Sequence, residues 1–341
     1  MARISYEVSV GSLVASSQPQ KGTSLLRSLT CGLTMDGAGG WCSLDLVCTG
    51  APPRPGEAAQ VSLDAGSGRA TVFTGEVLST RVTPESARVQ GVDGLTRLAR
   101  LEVSEAYEQM SAGSIVRELV RKANLGVGTI EDGPRLPSYL LHQGPSALHY
   151  LRRLAEQCGF DLYTDGAGKV HFASPRRGGA DHTFAYPKQV LKAELLQVQP
   201  SFDSMTVWGE GAASVQGTAR GHWLVRDLAS VSGKASLGAS GAVQAGRLGK
   251  TPRTVRDGAV RSGGDAAARA QARMAAVGSR VLRGFVEVLG SPALKPGALV
   301  KIDEVPTNHP ARALVAGKVL RVRGVRHSLG LRTGFITRME F

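Results

Sequence analysis

Several residue types and patterns are scarce in this sequence, and each scarcity excludes a class of protein. No apolar run approaches the ~20 residues that a membrane-spanning helix requires, so the chain is predicted to be soluble. The first ten residues alternate between polar and apolar side chains and include Glu7, unlike the apolar stretch of a secretory signal. They predict a first strand from Ile4 to Val10, folded in the cytoplasm.

Cysteine is also scarce. The four cysteines, Cys31, Cys42, Cys48 and Cys158, form no CxxC pair and have no histidine at zinc-ligand spacing, so neither a metal nor another cofactor is predicted. Cys42 and Cys48 alternate with polar residues along one predicted strand. Both thiols are therefore expected on its apolar face as small buried hydrophobes.

Glycine is abundant, with 43 residues, while aromatic residues make up only 5% of the chain. This composition favours many turns and short strands over a helical bundle. The formal charge of +13 is unevenly placed, because residues 250–341 hold 17 Lys and Arg against 6 Asp and Glu. A basic partner surface, if the chain has one, is expected in this C-terminal region.

The first hundred residues read as short strands separated by turns, which predicts a β-barrel or a β-sandwich. The clearest predicted strands are residues 41–48, 59–63, 71–82 and 87–92.

The middle of the chain changes to a helical period. One predicted helix begins at Ser111 or Ser114 and ends near Gly126, and a second follows Ser146 and ends at Gly159. Two short strands then flank a turn signal at 165–168. These elements predict a small α+β domain.

Strand patterns return after Leu191, most clearly from Ser204 to Trp208. Two features interrupt them. A Gly/Ser/Ala-rich stretch at 230–249 predicts a long loop, and an Ala-rich stretch at 265–282 predicts a helix with Asp265 at its N-cap.

A weak repeat connects the two ends of the chain. A Pro-Gly turn at 55–56 precedes Gly-Glu-Val-Leu-x-x-Arg beginning at Gly75, and another at 296–297 precedes Gly-Lys-Val-Leu-x-x-Arg beginning at Gly317. Two similar barrels would explain the repeat, and so would chance, since these are common strand residues. The hypothesis of two barrels predicts that both segments occupy equivalent strands.

Motifs that would indicate catalysis or nucleotide binding are incomplete. The stretches at 209–214, 249–251 and 238–242 each lack a glycine that a dinucleotide loop, a P-loop or a nucleophile elbow requires. The seven histidines are scattered, and Asp303 and Glu304 would point to opposite faces of a strand end. No enzyme is predicted, although a site assembled from distant residues stays open.

Eight short segments, spread over most of the chain, carry a resemblance to a known family. They are Phe73 to Val77, Val89 to Leu98, Ser114 to Leu119, Ser146 to Phe160 with Gly168 to Phe172, Leu294 to Gly297, Val325 to Ser328, and Gly334 to Arg338. In order and spacing, these segments resemble the phage late control D family. Its members are hub proteins of contractile tails and are related to the N-terminal half of VgrG spikes.

The resemblance implies a mainly β, α+β fold. Two similar β-barrel domains, residues 1–104 and 189–341, would flank an inserted α+β domain at 105–188, and the second barrel would contain the loop at 230–249 and the helix at 265–282. Three chains would form a homotrimeric ring around a channel. Six barrels would then face a hexameric tail tube on one side, with threefold symmetry for a spike on the other.

The implied function is that of a structural baseplate hub, without enzymatic activity or cofactors, in a contractile phage tail or a related injection system. Expected partners are two further copies of the chain, the tail tube protein, other baseplate components and a separate spike protein, because no oligonucleotide-fold domain or β-helix tail is visible. Membrane insertion is not expected, and nucleic acid is expected only as translocated cargo. Assembly would take place in the bacterial cytoplasm, and the hub would then reside in the baseplate of the particle.

Two other functions compete with this interpretation. The pI near 10 is typical of a basic nucleic-acid-binding protein. Residues 250–341, however, hold only Phe285, Phe335 and Phe341 as aromatic residues for base stacking, and the helix at 265–282 is the only candidate for reading a duplex. An enzyme acting on cell-wall polymer would require a carboxylate pair or metal site that the sequence does not show.

One strand supplies a candidate assembly surface. Between residues 318 and 327, alternation puts Leu320 and Val322 on one side and Arg321 and Arg323 on the other. The apolar pair is predicted to fill a core. The arginines are predicted to point outward, to a neighbouring subunit, the channel, or an acidic spike or tube partner. An ordinary solvated strand face is the alternative.

Overall fold

The computed structural model describes residues 4–18, 23–47, 51–66, 68–210, 231–238 and 241–341. Within these ranges the chain is mainly β with a few helices, which confirms the predicted fold class at that level. The helices are α1 (Leu95–Arg100), α2 (Ala112–Lys122), α3 (Ala147–Cys158), α4 (Gly263–Gly278) and α5 (Arg312–Val315).

The strands of the N-terminal part are β1 (Ser5–Val10), β2 (Leu13–Ser16), β3 (Leu25–Thr34), β4 (Trp41–Val47), β5 (Ala58–Asp64), β6 (Ala70–Val82), β7 (Ala87–Asp93) and β8 (Glu105–Ser111). Those of the middle part are β9 (Gly126–Ile130), β10 (Arg135–Leu141), β11 (Asp161–Thr164), β12 (Lys169–Ala173), β13 (His182–Ala185), β14 (Val190–Gln197) and β15 (Ser204–Trp208). Those of the C-terminal part are β16 (Ser232–Leu237), β17 (Val243–Ala245), β18 (Pro252–Arg256), β19 (Leu282–Leu289), β20 (Leu299–Asp303), β21 (Leu320–Arg321), β22 (Gly324–Gly330) and β23 (Gly334–Glu340).

The described strands form one large sheet and four small ones. The large sheet has the order β14-β19-β23-β22-β3-β4-β7-β6-β5-β1-β2. The small sheets are β10-β8, β11-β12-β9, β13-β20-β21 and β17-β16-β15-β18.

Two sets of four neighbouring strands in the large sheet share one arrangement. We call β3-β4-β7-β6 the first four-strand unit and β14-β19-β23-β22 the second. In the first unit, β7 is the last strand along the chain and lies between β4 and its hairpin partner β6. In the second unit, β23 is the last strand along the chain and lies between β19 and its hairpin partner β22. β22 pairs antiparallel with β3, from Gly324 opposite Thr34 to Gly330 opposite Ser28. The two units therefore form one continuous eight-stranded sheet. They are joined head to tail, because the fourth strand in the order of the second unit, β22, pairs with the first strand in the order of the first unit, β3.

Four hydrophobic clusters stabilise the described part of the chain. One lies under β1 to β7, a second contains residues of β19, β22 and β23, a third packs α2 and α3 against β11 and β12, and a fourth lies between α4 and the β17-β16-β15-β18 sheet. Cys42 is buried in the first cluster, as predicted. Cys48 lies outside the described residues.

Both middle helices begin where the sequence places them, and α3 also ends there, whereas α2 ends at Lys122 and Gly126 already begins β9. The hydroxyl of Ser111 accepts a hydrogen bond from the N–H of Ser114 at 3.1 Å, and that of Ser146 accepts one from His149 at 3.4 Å. These N-caps satisfy backbone donors that the first helical turn leaves unpaired. Gly159 ends α3 in the left-handed region, at φ +70°.

In the C-terminal part, one predicted element is wrong, and another is correct as a helix but has different bounds and a different N-cap. The stretch at 230–249, predicted as a loop, contains β16 and β17, which pair antiparallel with each other. The helix predicted at 265–282 begins at Gly263 and ends at Gly278. Its N-cap is Ser262, whose hydroxyl accepts from the N–H of Asp265 at 3.1 Å, so Asp265 lies within the first turn. The chain leaves the helix after Gly278 because Leu282 already begins β19.

The Pro-Gly turns that precede the repeat are alike in the structure. Gly56 and Gly297 both have positive φ, at +89° and +84°. The N–H of Gly56 donates to the carbonyl of Val77 at 2.8 Å, and the N–H of Gly297 donates to the carbonyl of Val322 at 2.8 Å. Val77 and Val322 therefore hold the same position relative to their turns.

This correspondence differs from the one that the repeat predicts. The repeat aligns Val77 with Val319, three residues before Val322. Gly75 lies inside β6, whereas Gly317 lies in a turn before β21, at φ +69°. The residue-by-residue alignment of the repeat is thus wrong, because a turn in the second segment occupies positions that are strand in the first.

Candidate assembly surface

The eight-stranded sheet has one apolar face and one polar face. In β4, Cys42, Leu44 and Leu46 are buried against the first hydrophobic cluster, while Ser43 and Asp45 alternate with them on the opposite side. The same alternation runs through β7 and β23. We call the polar side the outer face.

Arginines cover two aromatic rings on the outer face. The guanidinium of Arg338 lies 3.4 Å from the ring centroid of Phe285, and that of Arg326 lies 5.5 Å from the ring of Trp41. Arg338 also lies 3.6 Å from the carboxylate of Glu287. Cation–π and ionic contacts of this kind cover the apolar rings and neutralise part of the positive charge. The outer face therefore presents charged groups rather than an apolar surface.

The eight-stranded sheet has an open edge at each end. β14 pairs with β19 on one side, and no other described strand pairs with it. Its Leu191 and Leu196 are 50% and 61% exposed. At the other end, β5 and the turn before it cover β6 as far as Val77, and beyond that point Leu78 and Val82 are 46% and 59% exposed. Open edges with apolar side chains are templates for another strand.

The predicted outward orientation of Arg321 and Arg323 is wrong. Leu320 and Val322 are buried, as predicted. The guanidinium groups, however, are only 15% and 12% exposed, because Arg321 donates to Asp161 at 2.6 Å and Arg323 donates to the carboxylate of Asp36 at 2.7 Å. The side of the strand opposite the core faces other segments of the same chain. A role of these arginines in assembly stays a prediction.

Asp36 is a functional candidate that sequence reasoning missed. It binds Arg323 and also lies 3.5 Å from Arg280, which follows α4. Burial would raise the pKa of Asp36, but the hydrogen bonds and charge of Arg323, together with Arg280, hold it below its ordinary value. The only local signal was an Asp-Gly turn at 36–37, since its partners lie more than two hundred residues away.

Asp93 connects three further segments. It lies within one of the segments that carry the family resemblance, and it is buried. Its carboxylate accepts hydrogen bonds from the N–H of Gly40 at 2.6 Å, from the N–H of Leu95 at 3.1 Å and from the hydroxyl of Thr164 on β11. Burial raises the pKa of Asp93, and these hydrogen bonds oppose that rise. The carboxylate of Asp93 thus joins the first four-strand unit to the small β11-β12-β9 sheet.

The sequence matches one family model over most of its length. The model, described as phage tail baseplate hub (GPD), covers residues 45–326. This chain belongs to that family. The family resemblance of the eight segments is therefore confirmed. No curated protein matches the hub in sequence.

Solved structures show the same fold at low identity. The hub is similar to the 43 kDa tail protein of prophage MuSo2 from Shewanella oneidensis, with 15% identity, a TM-score of 0.71, and coverage of 98% of this chain and 97% of that one. It is similar to a tail protein from Neisseria meningitidis MC58, with 14% identity, a TM-score of 0.71, and coverage of 99% and 95%. It also resembles the E. coli c3393 protein, described as a component of the type VI secretion system, with 12% identity, a TM-score of 0.59, and coverage of 98% and 75%.

Other polar groups of the hub have structural partners. No acid was predicted beside His171, yet its Nε2 lies 3.1 Å from the carboxylate of Asp165 across the β11–β12 hairpin. Its Nδ1 accepts from the N–H of Thr129 at 3.1 Å, which fixes the ring. Burial raises the pKa of the Cys42 thiol to about 12.

Two kinds of feature are absent from the part of the chain that the structure describes. No group of His, Cys, Asp and Glu there has a metal-binding arrangement. No helix there has the length and apolar character that crossing a membrane requires.

Proposed function

We propose that this hub assembles as a homotrimeric ring that joins a hexameric tail tube to a separate trimeric spike. In this proposal, two similar β-barrel domains, residues 1–104 and 189–341, flank an inserted α+β domain at 105–188. The observation that carries it is the head-to-tail joint between β22 and β3.

The joint supports a ring because it pairs two different edges. When unlike edges pair, each new contact leaves the same two edges open, so repeating the contact closes a ring if the rotation allows it. Here the available edges are β14, which has one described neighbour, and the last residues of β6, 78–82, which β5 does not cover. Pairing β6 of one copy with β14 of the next would repeat the contact that β22 makes with β3. Their exposed leucines and valine would then be buried.

Symmetry supports the number three. Each chain contributes two four-strand units of the same order, so three chains present six such units. A ring of this kind offers a sixfold arrangement of strands to a tail tube, while the remaining parts of the chain repeat only three times. Threefold repetition fits a trimeric spike.

The outer face is suited to line the channel of the ring. The opposite face of the sheet is occupied by the hydrophobic clusters, so the outer face is the side free to meet solvent. Its arginines are covered by contacts with aromatic rings and carboxylates. A channel wall of this kind would present few unpaired cations to translocated nucleic acid. In this proposal the hub is structural, assembles in the cytoplasm and becomes part of the baseplate of the particle.

The oligomeric mass tests the ring directly. Wild-type hub is expected to give three times the 35.7 kDa of one chain in light scattering coupled to size exclusion. Leu191→Lys combined with Leu196→Lys puts two charges on the β14 edge and is expected to give monomers with an unchanged circular dichroism spectrum. The matched control is Leu140→Lys, which charges a 68% exposed leucine in the small β10-β8 sheet and is expected to leave the trimer intact.

Two results would contradict the proposal. A wild-type hub that stays monomeric at every concentration and with its tail neighbours present excludes the ring. A double variant that still forms trimers shows that β14 is not the contact.

A further inference from the structure

The small β17-β16-β15-β18 sheet lies outside the eight-stranded sheet, and α4 covers one of its faces. α4 packs directly on β16, where a side chain at Gly233 would clash with the backbone of Ala267. Met205 and Val207 of β15 point to the same side and join the hydrophobic cluster with α4. The residues that alternate with them therefore point to the opposite face.

That opposite face is polar and carries an exposed indole. Trp208 is 41% exposed and lies beside Arg256 in the register of β15 with β18. In the next row, Thr206 is buried between Lys234 and Thr254, which are both exposed. A groove of about 450 Å³ opens at this end of the two parallel strands. It is lined by Trp208, Thr254 and Arg256 together with Gly209, Glu210, Asp257 and Gly258.

β18 forms an open edge of this sheet. It pairs in parallel with β15 and has no second neighbour among the described strands. The N–H of Asp257 donates to the carbonyl of Trp208 at 2.8 Å. Because backbone direction alternates along a strand, Val255 also faces β15, whereas Thr254 and Arg256 direct their N–H and C=O groups away from it. These groups are available to another strand.

Positive charge is concentrated along this edge. Lys250, Arg253 and Arg256 are exposed, and in the described ranges none of them forms an ion pair. Arg253 instead lies 5.2 Å from the ring of Phe202. Of the two acidic residues in the groove, Asp257 is bound to Arg269 of α4. Like charges on the same edge disfavour pairing with a second copy of this chain and select an acidic partner.

We propose that the β18 edge and the adjoining face around Trp208 form a docking site for an acidic, extended segment of another protein. The segment adds a strand beside β18 through the backbone of Thr254 and Arg256. Its carboxylates meet Arg256 on the face of Trp208 and Arg253 on the opposite face, with Lys250 just before the strand. An extended polypeptide fits this edge better than a nucleic acid does, because only a polypeptide backbone satisfies both the N–H and the C=O groups of a strand. This site does not depend on the ring proposed above.

The test uses full-length hub and a fluorescent peptide of consecutive Glu residues, which presents carboxylates on both faces of an added strand, measured by fluorescence anisotropy. Arg253→Glu with Arg256→Glu is expected to weaken peptide binding by roughly tenfold or more, because it reverses two of the charges that meet the peptide. The control is Arg121→Glu with Arg135→Glu, which changes net charge equally at two exposed arginines elsewhere and is expected to alter binding by less than about threefold.

Thr254→Pro separates strand addition from simple attraction. Proline removes one outward N–H without changing charge, and a strand edge tolerates it where the N–H faces solvent. We expect this variant to lose binding while circular dichroism and the melting temperature stay unchanged. Hydrogen exchange provides a second measurement, since peptide is expected to slow exchange at the amides of Thr254 and Arg256 in the wild-type hub.

Several outcomes overturn the proposal. Equal losses of peptide binding in the β18 double variant and in its control double variant show that the peptide is held only by general electrostatic attraction. An oligothymidine of matched charge that binds this face more tightly than the peptide shows a nucleic-acid surface. Unchanged hydrogen exchange at both amides with saturating peptide excludes strand addition, even if Thr254→Pro fails to fold. The mass of the hub measured in parallel distinguishes these failures from failure of the ring.

Discussion

Acid is expected to weaken the joint between the two four-strand units through His327. This histidine is buried on β22, where its neighbours in the sheet are Cys31 of β3 and Thr337 of β23. Its Nδ1 lies 3.1 Å from the hydroxyl of Thr337. Burial lowers the pKa of His327 to about 4, although a hydrogen bond with the backbone of Leu294 opposes the shift.

The sign and size of the effect follow from the two pKa values. An unfolded histidine titrates near ~6.5 and the folded one near 4, so between these values the unfolded chain binds the proton more tightly. The stability that the neutral, buried His327 contributes is complete above the pKa of the unfolded chain, and it is lost as the pH falls toward the pKa of His327 in the folded protein. At about 1.4 kcal/mol per pKa unit, the loss reaches about 2 kcal/mol at pH 5 and about 3 kcal/mol near pH 4.

Urea unfolding at pH 7.5 and pH 5 measures this loss. His327→Gln keeps hydrogen-bonding groups without titrating, so its free energy of unfolding is expected to change less between the two pH values than that of the wild type, by about 2 kcal/mol. His149→Gln replaces an exposed histidine and is expected to behave as the wild type. Equal pH dependence in the wild type and His327→Gln would show that the buried ring does not control acid stability.

Two further variants test the packing of the middle part of the chain. Leu151→Ala removes a fully buried side chain of α3 and is expected to cost ~2 to 5 kcal/mol in chemical denaturation, whereas Leu140→Ala, at an exposed site, is expected to cost less than about 0.5 kcal/mol; similar values for both would contradict the packing of α3. Gly166→Ala puts a methyl group against the carbonyl of Thr71 and is expected to release the β11–β12 turn and speed its proteolysis, unlike Gly179→Ala, where nothing lies within 4 Å. Unchanged proteolysis of the first variant would show that the turn does not depend on this contact.

The sequence predicts well those elements whose signals are local. Ser146 and Gly159 mark α3 to the residue, because a capping hydroxyl and a left-handed glycine act on their immediate neighbours. The start of α4 could have been predicted from local residues in the same way. Ser262 followed by Asp265 has the spacing of an N-cap with an acidic residue in the first turn, and it indicates the observed start better than Asp265 alone.

Elements that depend on distant contacts were not predictable. β16 has a Gly/Ser/Ala composition typical of a loop, and it is a strand because Gly233 allows α4 to lie against it. The alternation around Arg321 placed Leu320 correctly in a core. It could not show that a second layer of the same chain, carrying Asp36 and Asp161, covers the opposite side.

The β22–β3 joint also constrains how the chain folds during synthesis. β3 meets β4 almost as soon as both are made, but its other neighbour, β22, is made about 290 residues later. Throughout that interval the β3 edge is unpaired on the ribosome, and an unpaired edge invites pairing with other nascent chains. Completion of the large sheet is therefore a late, post-translational event, and C-terminally shortened products that lack β22 are expected to aggregate rather than accumulate as a folded first half.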